Sequence, residues 1–160
     1  MRLLIDNGAD VSSIDKDGWS ALHYAVYTGH LEVVRLLIDG GADMNIAVMA
    51  GFNVLYHALY KGHEEVVRLL IDKVADVNVA DKNGRSALHH AAREGYKEVV
   101  KLLIDNGADV SNIDKDGWSA LHYAVSFGHE EIVRLLIDNG ADGTGMARVH
   151  HIMLLERMIE

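Results

Sequence analysis

The stretch that decides the fold is Asp15–Ala25, which reads D-K-D-G-W-S-A-L-H-Y-A. It returns as D-K-N-G-R-S-A-L-H-H-A over 81–91 and unchanged over 114–124, at multiples of 33 residues. Self-similarity at a fixed period of this length predicts a stack of repeated units. Three series of glycines keep the same phase: Gly18, Gly51, Gly84 and Gly117; Gly29, Gly62, Gly95 and Gly128; and Gly8, Gly41, Gly107 and Gly140.

Each unit contains two short helical patterns. Ser20 precedes the first pattern, 21–26, and serine is a preferred residue at a helix N-cap. The second pattern, 31–38, is apolar at i, i+3 and i+4, as in a helix with one buried face. Gly41 follows at the position where a left-handed residue commonly ends a helix. Two such helices cannot bury their apolar faces alone, so neighbouring units are predicted to stack.

The 15–25 motif resembles the signature of the ankyrin repeat family, with Ser-Ala-Leu-His where the family usually has Thr-Pro-Leu-His. The stretches 29–37 and 107–110 resemble the family pattern as well, and the resemblance extends from residue 2 to about residue 142. The missing proline matters little, because alanine is the better helix former. The resemblance implies an all-α ankyrin-repeat solenoid of stacked helix-turn-helix units with hairpin-like loops.

The repeat phase also predicts the internal boundaries. The start in mid-repeat suggests a fragment or an unusual gene start, with a first helix that frays. The tail is amphipathic, and terminal repeats need a polar outer face, so we expect it to act as a cap. The predicted parts are an array over 1–146, with a partial repeat 1–14 and full repeats 15–47, 48–80, 81–113 and 114–146, and a degenerate C-terminal capping helix 147–160.

Composition excludes several classes of partner. The formal net charge of −9 argues against nucleic acid, whose affinity for proteins depends on Lys and Arg, and against an anionic membrane surface. No apolar run approaches the roughly 20 residues of a membrane helix. The chain has no cysteine, hence no disulfide framework and no thiolate metal site. We therefore expect a cytoplasmic monomer without a cofactor.

The histidines and carboxylates raise the question of catalysis or metal binding. His23, His89 and His122 share one repeat position, where the resemblance implies a structural role between a serine hydroxyl and the loop backbone. No H-E-x-x-H spacing, nucleophile motif or phosphate-binding loop occurs, so an enzyme is the least favoured hypothesis. The pair His150-His151 stays open as an adventitious metal site. The hairpin carboxylates are predicted to be solvated and to shape turns: Asp15, Asp17, Asp81, Asp114 and Asp116.

The resemblance also implies a protein–protein interaction module. In ankyrin-like stacks the hairpin tips and first helices line one concave face, and the variable positions there bind the partner. Exposed Trp, Tyr and Arg are residue types that dominate binding energy at interfaces. An alternative for Trp19 and Trp118 is that they lie flat over the neighbouring hairpin as packing. The predicted partner-binding residues are Trp19, Tyr27, Phe52, Tyr60, Arg85, Arg93, Trp118 and Phe127.

Repeat 48–80 departs most from the pattern. Val48-Met49-Ala50 replaces Asp-Lys-Asp, and Val74 replaces a left-handed glycine, which costs about 1 kcal/mol or more for a β-branched residue. The repeat has either decayed or become a docking spot for the partner, and we favour docking. The apolar cluster that would form this spot is Met49, Phe52, Tyr56 and Tyr60.

The two ends of the array are close copies of each other. Residues 2–39 and 101–138 match at 32 of 38 positions. Such duplication leaves open a designed or idealised ankyrin-like scaffold without a natural partner. The irregular second repeat and the ragged ends favour a natural protein.

Overall fold

The computed structural model describes residues 8, 10–48, 52–73 and 76–141. Within these ranges the chain forms eight α-helices and no strand, which confirms the predicted all-α class. No helix in the same ranges is long and apolar enough to span a membrane. The predictions for the first helical half-repeat, for Met49 and Val74, and for the capping helix 147–160 fall on residues outside the description.

The helices come in four pairs, each with a first helix of seven or eight residues and a second of nine. A tight turn separates the members of a pair, as the two helical patterns predict. The helices are α1 (Ala21–Thr28), α2 (Leu31–Asp39), α3 (Val54–Tyr60), α4 (Glu64–Asp72), α5 (Ala87–Glu94), α6 (Lys97–Asp105), α7 (Ala120–Ser126) and α8 (Glu130–Asp138).

The chain divides into two compact units, Met1–Lys82 and Asn83–Glu160. In the first unit α1 packs on α2 and α3, and α4 packs on α2 and α3. The second unit repeats this arrangement with α5, α6, α7 and α8. Each unit is thus two stacked helix-turn-helix pairs, and their division lies in the hairpin between the second and third predicted repeats.

A leucine at one repeat position anchors each first helix. Leu22, Leu55, Leu88 and Leu121 are all at most 1% exposed. Full burial of a leucine side chain stabilises a fold by about 1.5–3 kcal/mol, so this position alone contributes strongly to each repeat.

The histidine in the motif caps its own helix and also bonds to the loop backbone, as its predicted structural role requires. In the first unit the Ser20 N–H donates to His23 Nδ1 at 3.1 Å, and the Ser20 hydroxyl lies 2.8 Å from the same nitrogen. Because Nδ1 accepts the backbone proton, Nε2 carries hydrogen and donates to the carbonyl of Ile46 at 3.1 Å. In the second unit His89 makes the same bonds to Ser86 and to the Trp118 carbonyl.

Candidate interaction surface

The eight residues predicted to bind a partner fall into two groups, four in each compact unit. All of them lie in a hairpin, in a first helix or directly after one. Trp19, Phe52, Arg85 and Trp118 occupy one repeat position, at the base of the hairpin. Tyr27, Tyr60 and Arg93 occupy a second repeat position, near the end of the first helix. Phe127 comes directly after α7, one residue beyond the equivalent position.

The first unit carries a continuous aromatic surface, which we define as Trp19, Tyr27, Phe52, Tyr56 and Tyr60. The Tyr27 ring meets Trp19 edge-on at 5.4 Å between ring centroids. Phe52 stacks on Tyr56 at 3.8 Å, and Tyr56 stacks on Tyr60 at 6.1 Å. Tyr27 and Tyr60 remain exposed, Tyr60 to 66%. Lys61 joins the two groups of rings, because its Nζ lies 4.0 Å from the ring centroid of Tyr27 and 5.9 Å from that of Tyr60. The structure therefore brings all four predicted residues of this unit into one surface.

His57 lies beneath this aromatic surface and was missed by the sequence reasoning. Its ring is 4.8 Å from Trp19 and 5.8 Å from Tyr56, and the residue is only 7% exposed. Among the described residues, His57 Nε2 is the single buried side-chain nitrogen or oxygen without a hydrogen-bond partner. Burial, with a smaller contribution from nearby His23, lowers the pKa of His57 to about 4.

The repeat register explains the unpaired nitrogen. Tyr24 and Tyr123 stand at the same repeat position as His57, and each donates its hydroxyl to the aspartate nine residues earlier, at 2.7 Å. Val48 replaces that aspartate in the second repeat, so no carboxylate is available to His57. The departure at Val48 is visible in the sequence, but its effect on His57, nine positions later, depends on how the hairpin folds against the first helix.

The contact between Trp19 and His57 also bears on the packing alternative. His57 belongs to α3, so half-buried Trp19 contacts the first helix of the neighbouring repeat, with the two ring planes tilted by 42°. Each tryptophan also lies against the tyrosine of its own repeat, Trp19 against Tyr24 with ring centroids 5.1 Å apart and Trp118 against Tyr123 at 5.2 Å.

The second unit carries a groove of about 460 Å³. Arg93 extends over the ring of Phe127, with its guanidinium carbon 5.6 Å from the ring centroid. Arg85 lies at the same distance from the ring of Tyr123. All four predicted residues of this unit line the groove, together with Asp116, Tyr123 and Ser126: Arg85, Arg93, Trp118 and Phe127.

Asp114 corrects the prediction that every hairpin carboxylate is solvated. Its side chain is fully buried because Arg85 from the preceding repeat covers it, with Nε 3.3 Å from Oδ2. Tyr123 donates its hydroxyl to the same oxygen, and the Trp118 N–H donates to Oδ1. Burial alone would raise the pKa of Asp114, but these hydrogen bonds together hold it below its ordinary value. Burial and the bond to Asp114 raise the pKa of Tyr123 to about 12.

The ends of the first helices carry a cation over an aromatic ring in both units. In the first unit Lys61 places Nζ 4.0 Å from the ring centroid of Tyr27. In the second unit Arg93 supplies the cation and Phe127 the ring. In the 33-residue phase Lys61 corresponds to Phe127, and Tyr27 corresponds to Arg93. The position that holds the cation in the first unit therefore holds the aromatic ring in the second, and the reverse is true of the other position.

Comparison with known proteins identifies the repeat. A family model described as ankyrin repeats (3 copies) matches residues 1–81 and 55–146. The chain belongs to the ankyrin repeat family. Ankyrin repeats are generally protein–protein interaction modules, and the ankyrin fold is a non-catalytic one.

Curated ankyrin repeat proteins match over about one repeat. The Notch-regulated ankyrin repeat-containing protein of Xenopus tropicalis is 50% identical over 34 residues, which are 21% of this chain and 30% of that protein. The human protein of the same name is 47% identical over 34 residues, with the same coverage. A putative ankyrin repeat protein of fowlpox virus is 46% identical over 35 residues, 22% of this chain and 25% of the viral one. The chain thus spans less than a third of the length of these relatives.

The described part of this ankyrin chain contains no cluster of side chains with the geometry of a metal site. No three His, Asp or Glu side chains gather there in a way that could hold an ion. His150-His151, the open candidate for adventitious binding, lies outside the described residues.

Proposed function

We propose that this ankyrin chain holds a protein partner through its hairpin tips and first helices, the concave face in this family, without catalysing a reaction. The contact residues are those of the aromatic surface in the first unit and of the groove in the second. The eight residues that carry the proposal are Trp19, Tyr27, Phe52, Tyr60, Arg85, Arg93, Trp118 and Phe127.

The observation that carries the proposal is the placement of exposed apolar side chains. Seven large hydrophobic residues are exposed among the described residues, and all but Ile137 lie in hairpins, in first helices or directly after them. Scattered apolar side chains need no explanation, but aromatic residues clustered on one face mark interaction sites. Aromatic residues and Arg are also the types enriched at the centres of protein interfaces.

The charge distribution supports the same face. In the described residues, hairpins and first helices carry equal numbers of basic and acidic side chains, whereas second helices and their turns carry more than twice as many acidic as basic ones. Interface cores are depleted in charge, so the balanced aromatic face is the better docking surface. The acidic second helices favour our proposal that neither nucleic acid nor an anionic membrane is the partner.

We further propose a natural, cytoplasmic, monomeric interaction module in which the array runs over 1–146 and residues 147–160 cap it. A designed scaffold without a partner is the alternative. The first unit carries an aromatic surface and the second an arginine-lined groove. This difference favours a natural protein, because an idealised scaffold would repeat the same side chains in each repeat.

The test is affinity capture with matched variants. The tagged chain serves as bait in a lysate of its source organism, beside the double variant Tyr60→Ala/Phe127→Ala. Both side chains are more than half exposed, so their truncation should leave the fold intact. Loss of two interface anchors should lower retention of a specific partner by more than about tenfold.

The control is Glu65→Ala/Glu98→Ala, which removes exposed side chains from second helices. This variant should retain the partner at the wild-type level, and circular dichroism melting should show all three proteins folded. Equal retention of every captured protein by all three baits would contradict the proposed face.

A further inference from the structure

Two hairpins of this chain have identical sequences and identical internal bonding. Residues 15–26 and 114–125 both read D-K-D-G-W-S-A-L-H-Y-A-V. In each copy the first aspartate accepts the N–H groups of the second aspartate and of the tryptophan at 2.9 Å. In each copy it also accepts the tyrosine hydroxyl at 2.7 Å. The first carboxylate, the hairpin backbone and the tyrosine hydroxyl are therefore held by the same hydrogen bonds twice.

The second copy binds a guanidinium group. Arg85 Nε lies 3.3 Å from Asp114 Oδ2, and its Nη2 lies 3.6 Å from Asp116. The guanidinium carbon stands 5.6 Å from the centroid of the Tyr123 ring. One arginine thus engages both carboxylates and the aromatic face, the combination for which a planar guanidinium is suited. Under this arginine Tyr123 is only 8% exposed.

The first copy is exposed. Asp15 and Asp17 face solvent and Tyr24 is 53% exposed. The arginine of the second copy, Arg85, stands 29 positions before Asp114. No described cation forms an ion pair with Asp15 or Asp17. Hydrogen bonds, chiefly from the Tyr24 hydroxyl and the Trp19 N–H, hold the pKa of Asp15 below its ordinary value, so its carboxylate is ionised at neutral pH.

We propose that Asp15, Asp17 and Tyr24 form a receptor for an arginine side chain of the partner protein. The inference rests on the proposed function and names the chemistry of one contact on the proposed face. The partner's Nε–H would donate to Asp15 and an Nη–H to Asp17, with the guanidinium plane near the Tyr24 ring, as Arg85 does in the second copy. The net charge of −9 favours the approach of a basic partner.

The test is an NMR titration of the whole chain with a small probe. The probe is the N-acetylated, C-amidated peptide Ala-Arg-Ala, compared with the same peptide carrying lysine or citrulline. The reporters are the backbone amides of Asp17, Gly18 and Trp19. We expect saturable shifts with the arginine peptide, several-fold weaker binding of the lysine peptide because ammonium lacks the planar fork, and none of the uncharged citrulline peptide.

Two variants serve as matched controls. Asp17→Asn should weaken the peptide response of the first copy, whereas Asp43→Asn, at an exposed turn outside the hairpin, should leave it unchanged. Removal of the native guanidinium by Arg85→Ala should create a second responding site at Asp116, Gly117 and Trp118, which are silent in the wild type. Arg85→Gln, which keeps most of the side-chain length, provides the same comparison should the alanine variant unfold.

The outcomes separate this inference from the proposed function. Absence of saturable shifts at the first copy, or equal binding of the citrulline peptide, overturns the arginine receptor even where Tyr60→Ala/Phe127→Ala abolishes capture of a partner. Peptide binding combined with unchanged partner retention by Asp17→Asn/Tyr24→Phe overturns its assignment to the partner. Loss of both peptide and partner in that variant supports the receptor.

Discussion

A single residue, His57, shows how a change at one repeat position alters the chemistry of another. With Val48 in place of aspartate, its buried Nε2 has no hydrogen-bond partner, and the imidazole stays neutral beneath Trp19. A buried polar group without a partner costs about 1–3 kcal/mol. The unpaired His57 beneath the aromatic surface therefore lowers the stability of the fold, as is often the case at functional sites.

The variant His57→Leu should raise the free energy of unfolding by about 1 kcal/mol at pH 7, because leucine has no polar atom that would be buried without a hydrogen-bond partner. It should also reduce the loss of stability in acid. The folded-state pKa of His57 is about 4, against an ordinary 6.5. Below pH 6.5 the unfolded chain binds a proton at His57 that the folded chain does not, so the free energy of unfolding is unaffected by this group above pH 6.5 and falls as pH drops toward 4.

Urea denaturation followed by circular dichroism at several pH values checks this prediction. His30→Leu, at an exposed histidine, is the control and should not raise the free energy of unfolding at pH 7. A His57→Leu protein less stable than wild type at pH 7 would show that the ring has a partner in solution.

The two hairpin aspartates also differ at the residue scale although their sequence surroundings are the same. Asp114→Ala should lower the free energy of unfolding by about 3 kcal/mol, since it leaves the Arg85 charge and the Tyr123 hydroxyl without their buried acceptor. Asp15→Ala should cost much less, because water replaces the lost acceptor at an exposed site. Thermal melting of both variants gives the comparison, and equal losses would contradict the difference in burial.

The element scale is governed by contacts between successive helix pairs. Nε2 of His63 lies 3.2 Å from the carbonyl oxygen of Tyr27 in the preceding repeat. Nε2 of His129 lies 2.9 Å from the carbonyl oxygen of Arg93 in the same way. In each case the imidazole ring fills the space above a glycine with positive φ, Gly29 or Gly95. The histidine after the inter-helix turn thus joins one repeat to the one before it.

Gly95→Ala should therefore be more destabilising than Gly107→Ala. Both glycines have nearly the same φ, +82° and +85°, so both variants carry the cost of a left-handed alanine, about 1–2 kcal/mol. Only at Gly95 would the new Cβ lie 2.7 Å from His129 Cε1 and force the ring from its bond with Arg93. Urea denaturation measures both, and equal midpoints would mean that the ring moves without cost.

At the scale of the whole molecule, the net charge decides which partners can approach. The surplus of carboxylates lies on the second helices and their turns in both units, while the hairpin and first-helix face is balanced. Charge of one sign spread in this way repels polyanions from most of the surface.

We expect no complex with a 30-base-pair DNA duplex up to about 10 µM protein at about 0.15 M salt, since too few Lys and Arg are clustered to neutralise phosphates. An electrophoretic mobility-shift assay provides the measurement. A salt-sensitive shift in that range would overturn the exclusion of nucleic acid.

The sequence alone determined the repeat and the all-α class, because these depend on local periods. The structural role of the motif histidines came from the resemblance to the ankyrin repeat family. It also placed the eight candidate residues on hairpins and first helices.

Tertiary structure decided what each side chain faces. Asp15 and Asp114 have identical neighbours in sequence, yet one is exposed and the other is buried under Arg85. His57 is unpaired because of Val48, nine residues away, and is covered by Trp19 from the preceding repeat. In a stack of repeats, the burial and pairing of a side chain depend on the side chains of the adjacent repeat. Contacts of this kind carry no periodic signal in the sequence, so they become evident only once the repeats are packed.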